Sequence, residues 1–261
     1  MARPSVACVL VLLAVAAREG RADEGPHGWD GRVFVSVSGG FQAARGSATY
    51  SDAQVVFREE ASAEARLSPR GAPALEVGGG VRVFGPVGLG LTLSAAHAKQ
   101  VTTLSATVPH PLLFRRPATA TAVDSRHRSE VALHIQALAR IRAGRTLSLG
   151  LAAGPSRFHV RQPLAADAEL EPTLNPDRSF TIAMPTVLFD SVSASAWGFH
   201  AGADATLRVA ENVSIGAVAR YSRAVVHVEN ALRATRTGDR ARTVPLELGG
   251  LSVTGGLKLW F

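Results

Sequence analysis

The chain closes on LSVTGGLKLWF, residues 251–261, in which Leu251, Val253, Leu257, Leu259 and the terminal Phe261 share one parity and Lys258 takes the other. Such alternation specifies a strand with a single apolar face. The same period runs through seven earlier segments, at 32–44, 75–84, 87–99, 130–142, 146–161, 194–209 and 213–228, and the final segment opens near 244. In 32–44, Val33, Val35, Val37 and Phe41 oppose Ser36, Ser38, Gly40 and Gln42; in 87–99, Val87, Leu89, Leu91 and Leu93 oppose Gly88, Gly90, Thr92 and Ser94. Segment 130–142 contains good helix formers. Its positions 131, 133, 135, 137, 139 and 141 are nevertheless all Val, Leu, Ile or Ala, and a lone helix would break the strand count. Pro155 is expected to mark a bulge that shifts the later register of the fifth strand.

The connections alternate in length. Turns near 85, 144 and 211 take a few residues each, while the links at about 45–74, 101–128, 163–191 and 229–243 read as long loops. Eight antiparallel strands return the chain to the side on which it started, so both termini belong with the short turns. Structureless loops of this length argue against a compact soluble domain. In the third, an apolar island at 180–187 is expected either to cover the mouth or to extend the wall.

The face opposite the apolar one decides which way the sheet turns. It is crowded with Gly, Ser and Thr, with Glu76, Arg82, Glu130, His134, Gln136, Arg140, His200, Asp204, Arg208, Arg220 and Lys258 set among them. Small residues leave room in a narrow barrel for a few long charged side chains to pair, whereas glycines at this density would weaken a soluble barrel's outer surface without benefit. The polar set is therefore expected inside, with the apolar set outward. By counting along the strands, Arg82, Arg140, Arg208 and Lys258 fall near the short-turn end, and Glu76, Glu130 and Asp204 higher. Phe41, Trp197, Phe199 and Tyr221 are expected to form an aromatic girdle at one edge of the apolar band, with Phe261 and Trp29 at the other.

With its closing LKLWF, this arrangement resembles the small outer-membrane β-barrel proteins of Gram-negative bacteria, the OmpA-type, OmpX-type and OmpW-like barrels. The resemblance implies an all-β fold, an eight-stranded antiparallel transmembrane up-and-down β-barrel over residues 23–261, with both termini in the periplasm. It also implies outer-membrane lipids and lipopolysaccharide as surroundings. The outer-membrane insertion machinery would read the last strand through Leu257, Leu259 and Phe261.

The N-terminus agrees with export: Arg3, an apolar run over 6–17 interrupted only by Cys8, then small residues and charges, the layout of a signal peptide ending at residue 16 or 22. Cys8 lies too early in that run for a lipoprotein signal. It leaves with the signal, so the mature chain has no thiol for a disulfide or a metal. Nowhere else do about 18 consecutive apolar residues occur, as a membrane helix requires. The formal charge is +7, carried almost wholly by arginine. Export and the lack of a basic-aromatic recognition stripe exclude nucleic acid as a partner class.

No catalytic residue is assigned. His97, His134, His159, His200 and His227 show no spacing to serine and acid that identifies a triad. There is no nucleophile elbow, HExxH or phosphate loop, and no metal or cofactor is expected. Arg58, Arg66, Arg70, Arg115, Arg116, Arg126, Arg128, Arg233, Arg236, Arg240 and Arg242 fall in the links. Arg233, Arg236, Arg240 and Arg242 of the last link are expected to meet phosphates of lipopolysaccharide or another anionic surface. The leading reading is a non-enzymatic surface protein with a plugged polar lumen. The alternatives are a narrow, anion-favouring pore and a lipid A-modifying acyl hydrolase or transferase.

Overall fold

The structure is a computed structural model that describes residues 28–229, 232 and 243–261. The expected signal segment and the last-link arginines Arg233, Arg236, Arg240 and Arg242 lie outside the described residues. Ten strands follow in order: β1 (Val33–Gln42), β2 (Ala48–Val56), β3 (Glu59–Pro69), β4 (Ala72–Phe84), β5 (Val87–Val108), β6 (Ala118–Arg142), β7 (Leu147–Leu174), β8 (Phe180–Ala210), β9 (Val213–Glu229) and β10 (Thr243–Trp260). The ring runs β1-β4-β5-β6-β7-β8-β9-β10 and closes where β10 returns to β1, with every pairing antiparallel. No sheet edge remains within it, which is how a barrel satisfies its backbone without water.

Eight strands therefore make the wall, as the alternation predicts. The other two are continuations of neighbours. β3 pairs with β5 from Ser62↔Thr107 to Pro69↔Gln100 and β4 continues along the same strand from Ala74↔Ala96, while β2 pairs with β3. The β2-β3 turn places Phe57 and Arg58 at φ 51° and 67°, the left-handed pair that a two-residue hairpin needs.

The links at 45–74, 101–128 and 163–191 are thus not long loops. They are largely hairpins that carry the sheet beyond the ring. Their alternation is muted because the inward positions are alanines, Ala61, Ala65, Ala106 and Ala120, all buried. The island at 180–187 extends the wall as the start of β8. Pro155 causes no register shift: Ser148, Ser156 and Phe158 remain on one buried face. The shifts in the β7-β8 ladder lie at Ala165/Asp167 and Glu169/Glu171.

Beyond the ring the sheet divides. The β6-β7 pairing ends at Ser129↔Arg161 and the β8-β9 pairing at Gly198↔Ala224, leaving β2-β3-β5-β6, β7-β8 and β9-β10 as three separate extensions. Their inner faces meet in an apolar core that includes Tyr50, Leu67, Leu104, Phe158, Val160, Leu164, Val226, Val244, Leu246 and Leu248. The barrel is polar inside along its lower half and largely apolar above it, where buried Gln162 donates to Gln100 at 2.6 Å.

Candidate functional site

The outer wall carries a band of leucine, isoleucine and valine. Leu89 is 56% exposed, Leu151 64% and Leu257 55%. On β5 the outward apolar run covers 87–95, on β6 131–141 and on β10 251–259, close to the roughly 9–11 residues with which a tilted strand crosses a bilayer. Just past this band toward the hairpin end, the outward positions become basic: His97, Lys99, His127, Arg157, His159, Arg161 and Arg223, all exposed. Arg157 lies over the Trp197 ring at 5.4 Å, and His97 stacks on His127 at 5.1 Å. His159 Nδ1 shares a 3.0 Å hydrogen bond with Ser195 Oγ directly across the β7-β8 ladder. A wetted interior with a greasy exterior is the transmembrane β-barrel arrangement.

Inside, the lumen is built in layers. At the short-turn end Trp29, Phe34, Leu138 and Trp260 form a small apolar floor. Trp29 was expected on the outer surface; it is 2% exposed, and its Nε1 donates to Pro86 O at 3.0 Å. It enters because Gly88 leaves the wall open there: a Cβ at that position would run into the indole. Outside the floor, Asp30 pairs with Arg142 at 2.9 Å and Arg208 at 3.4 Å.

Above the floor, Asp204 Oδ2 accepts from Arg140 Nη2 at 2.6 Å, from Lys258 Nζ at 3.1 Å and from Thr206 Oγ1 at 2.8 Å. The Arg140 and Lys258 cations also lie over the Trp260 ring, at 5.2 and 5.6 Å. Asp204 therefore stands level with the low cations, not above them, because strand stagger offsets heights counted along the sequence. Arg220 faces Glu76 at 3.0 Å. These five ionised groups line a cavity of about 60 Å³ with Ser36, Ser38, Thr92 and Gln136, whose Nε2 donates to Thr92 Oγ1 at 3.1 Å.

Next comes a hydroxyl-imidazole chain. Ser94 Oγ meets His134 Nε2 at 3.0 Å, His134 Nδ1 meets Ser156 Oγ at 2.8 Å, and Ser156 Oγ meets His200 Nδ1 at 2.9 Å. Phe158 of the apolar core stacks edge-on against His134 at 6.0 Å. Beside the core, Glu130 accepts from Arg128 at 2.7 Å, Gln42 at 3.3 Å and the Gly249 amide at 2.9 Å.

The residues expected to form one lumen network are thus divided. Glu76, Glu130, His134, Gln136, Arg140, His200, Arg220 and Lys258 are buried, and Asp204 joins them with 12% of its side chain exposed. Arg208 and Arg82 are not part of that interior. Arg208 belongs to the rim pair with Asp30, and Arg82 is half-buried near the end of β4. Thr206, Ser94, Ser156 and Arg128 belong to the site, although the sequence pattern assigns none of them to the lumen network. Lumen parity flags the two serines and Thr206, and nothing in their spacing announces hydrogen bonding. Of the expected girdle, Phe41, Trp197, Phe199 and Phe261 are outward and exposed. Leu257, Leu259 and Phe261 also face out. Among the described residues no group of three or more His, Asp or Glu forms a metal site.

No family model matches the chain, and no curated protein matches it. Solved structures similar to it include outer membrane protein OprG from Pseudomonas aeruginosa, at 10% identity over 89% of this chain and 97% of that one, TM-score 0.45. Neisserial surface protein A gives 10% identity over 88% and 97%, TM-score 0.38. The outer membrane protease OmpT from Escherichia coli gives 10% identity over 88% and 97%, TM-score 0.40.

Proposed function

We propose that this chain is a non-enzymatic outer-membrane barrel whose job is carried by its folded hairpin crown, with the lumen closed to bulk transport. The apolar core over the mouth is the observation that carries this reading. Val226, Val228, Val244, Leu246 and Leu248 from β9 and β10 pack with Phe158, Val160 and Leu164 from β7 and with Leu67 and Leu104 from the β3-β5 side. A hydrated channel cannot run through side chains packed to exclude water. The surface above bears exposed Phe57, Leu112 and Phe114 at its tips. Such tips suit contact with a partner outside the cell better than transport.

Planar-bilayer recording of the purified mature chain is expected to show no steady conductance, while surface proteolysis of folded protein cuts only the crown. Stable channels on the nanosiemens scale would replace this reading with that of a pore.

The partner closest at hand is lipid. The outward basic row of Lys99, Arg157, Arg161 and Arg223 lies where the apolar band ends, the position that would suit contact with lipid phosphates. Arginine grips phosphate bidentately. Changing Arg157, Arg161 and Arg223 together to glutamine should weaken lipopolysaccharide binding by the folded barrel, and an unaltered binding curve would remove this role.

A further inference from the structure

We propose that the cavity inside the lower barrel is a binding site for one small inorganic anion of the chloride class, held among Arg140, Arg220 and Lys258. Its wall carries Arg140, Arg220 and Lys258 against only Glu76 and Asp204. Arg220 is matched with Glu76 and Arg140 with Asp204; Lys258 shares the Asp204 oxygen that Arg140 already uses. Among the described residues that line the cavity three positive charges thus face two negative ones, and the groups are largely withdrawn from water, with side-chain exposures of 1% for Arg140, 6% for Arg220 and 11% for Lys258. An uncompensated charge in such surroundings is expensive.

The donors point the same way. Arg140 Nε and both Nε and Nη1 of Arg220 are buried and have no hydrogen-bond acceptor among the described residues. The Arg220 Nη1 atom is 3.0 Å from Glu76 Oε1, an ion-pair distance that does not meet hydrogen-bond geometry. The Asp204 oxygen, by contrast, is already shared by two cations and a hydroxyl. Thus the cavity has N–H groups to spare and an excess of positive charge, the requirements of an anion. Its volume of about 60 Å³ admits a monatomic ion with a little water, and excludes phosphorylated metabolites or sugars. The site lies below the hairpin core and does not depend on what the crown contacts.

The test is halide titration of the purified, folded barrel in detergent at constant ionic strength, with gluconate as the balancing anion. Chloride should raise the unfolding midpoint saturably, by about 3 °C or more at saturation. Lys258→Met leaves two matched pairs, Arg140 with Asp204 and Arg220 with Glu76, so its midpoint should be indifferent to chloride. A wild-type midpoint equal in chloride and gluconate overturns the proposal, as does a chloride response retained in the Lys258→Met protein. If that variant does not fold, crystals of the wild type soaked in bromide decide: an anomalous peak among Arg140, Arg220 and Lys258 supports the site, and its absence there overturns it.

Discussion

Arg140 reaches across the lumen to Asp204 at 2.6 Å, and Lys258 approaches the same carboxylate oxygen at 3.1 Å. One acid on β8 therefore holds cations on β6 and β10, tying opposite sides of the wall together. Asp204→Asn keeps the shape and removes the charge both cations need, so the damage comes from leaving them buried and unpaired. The expected loss is about 3–5 kcal/mol, seen as an earlier midpoint in urea unfolding followed by tryptophan fluorescence. An unshifted midpoint would mean that water already neutralises these charges.

The boundary between band and crown can be placed by charge. Leu91 and Val123 both face outward and are exposed, at 45% and 67%, yet Leu91 sits within the band and Val123 beyond it on the hairpin extension of β6. An arginine facing hydrocarbon near the midplane costs about 2–4 kcal/mol and close to nothing at a wetted surface. Leu91→Arg should therefore lower the stability of the inserted barrel by that amount, with Val123→Arg within error of wild type in the same unfolding assay. Equal effects would place the bilayer elsewhere.

The crown has a pH limit of its own. Tyr50 is buried and its hydroxyl donates to Ala165 O at 3.1 Å, joining the β2-β3 hairpin to β7. Burial raises its pKa well above the usual tyrosine value, and the hydrogen bond it donates can be made only by the protonated phenol. The folded pKa is the higher one, so the folded crown favours the protonated phenol. That stability is intact below about pH 10, where a free tyrosine ionises, and drains away as pH climbs beyond it. Hairpin proteolysis should accelerate above about pH 10 in the wild type. Tyr50→Phe should be cut slightly faster at neutral pH, through the lost hydrogen bond, and should lack the alkaline acceleration. A Phe variant with the wild-type alkaline profile would assign it to another group.

The wall was legible in the sequence because its outward positions are large and apolar while its inward ones are small or charged, so alternation is strong from Val87 to Leu93 and again from Leu251 to Phe261. The crown was not. Along 118–122 the inward residues are Ala118, Ala120 and Ala122 and the outward ones are Thr119 and Thr121, a contrast too weak to separate strand from loop. Period two fixes the face on which a side chain lies, and most of the charges that parity turns inward are buried. Parity fails where the chain has left the ladder. Trp29 precedes β1, and what seats it is the missing side chain of Gly88 on another strand. Partnering was equally hidden: Asp204 and Lys258 are 54 positions apart, and only the closure of β10 onto the ring brings them within reach.

Trp29 makes the floor testable. Its ring is 5.8 Å from Phe34 and 5.9 Å from Trp260, and its Nε1 hydrogen bond to Pro86 pins it to the turn between β4 and β5. A side chain at position 88 competes for the volume the indole fills. Gly88→Val should expel Trp29 toward water and cost about 1–3 kcal/mol through overpacking. In a Trp197→Phe background the remaining emission comes from Trp29 and Trp260, both buried in the parent. Adding Gly88→Val should shift that emission to the red and raise its quenching by acrylamide, with the gel mobility of the folded barrel unchanged. Emission and quenching identical to the parent would show that the wall yields at β5 and the floor stays closed.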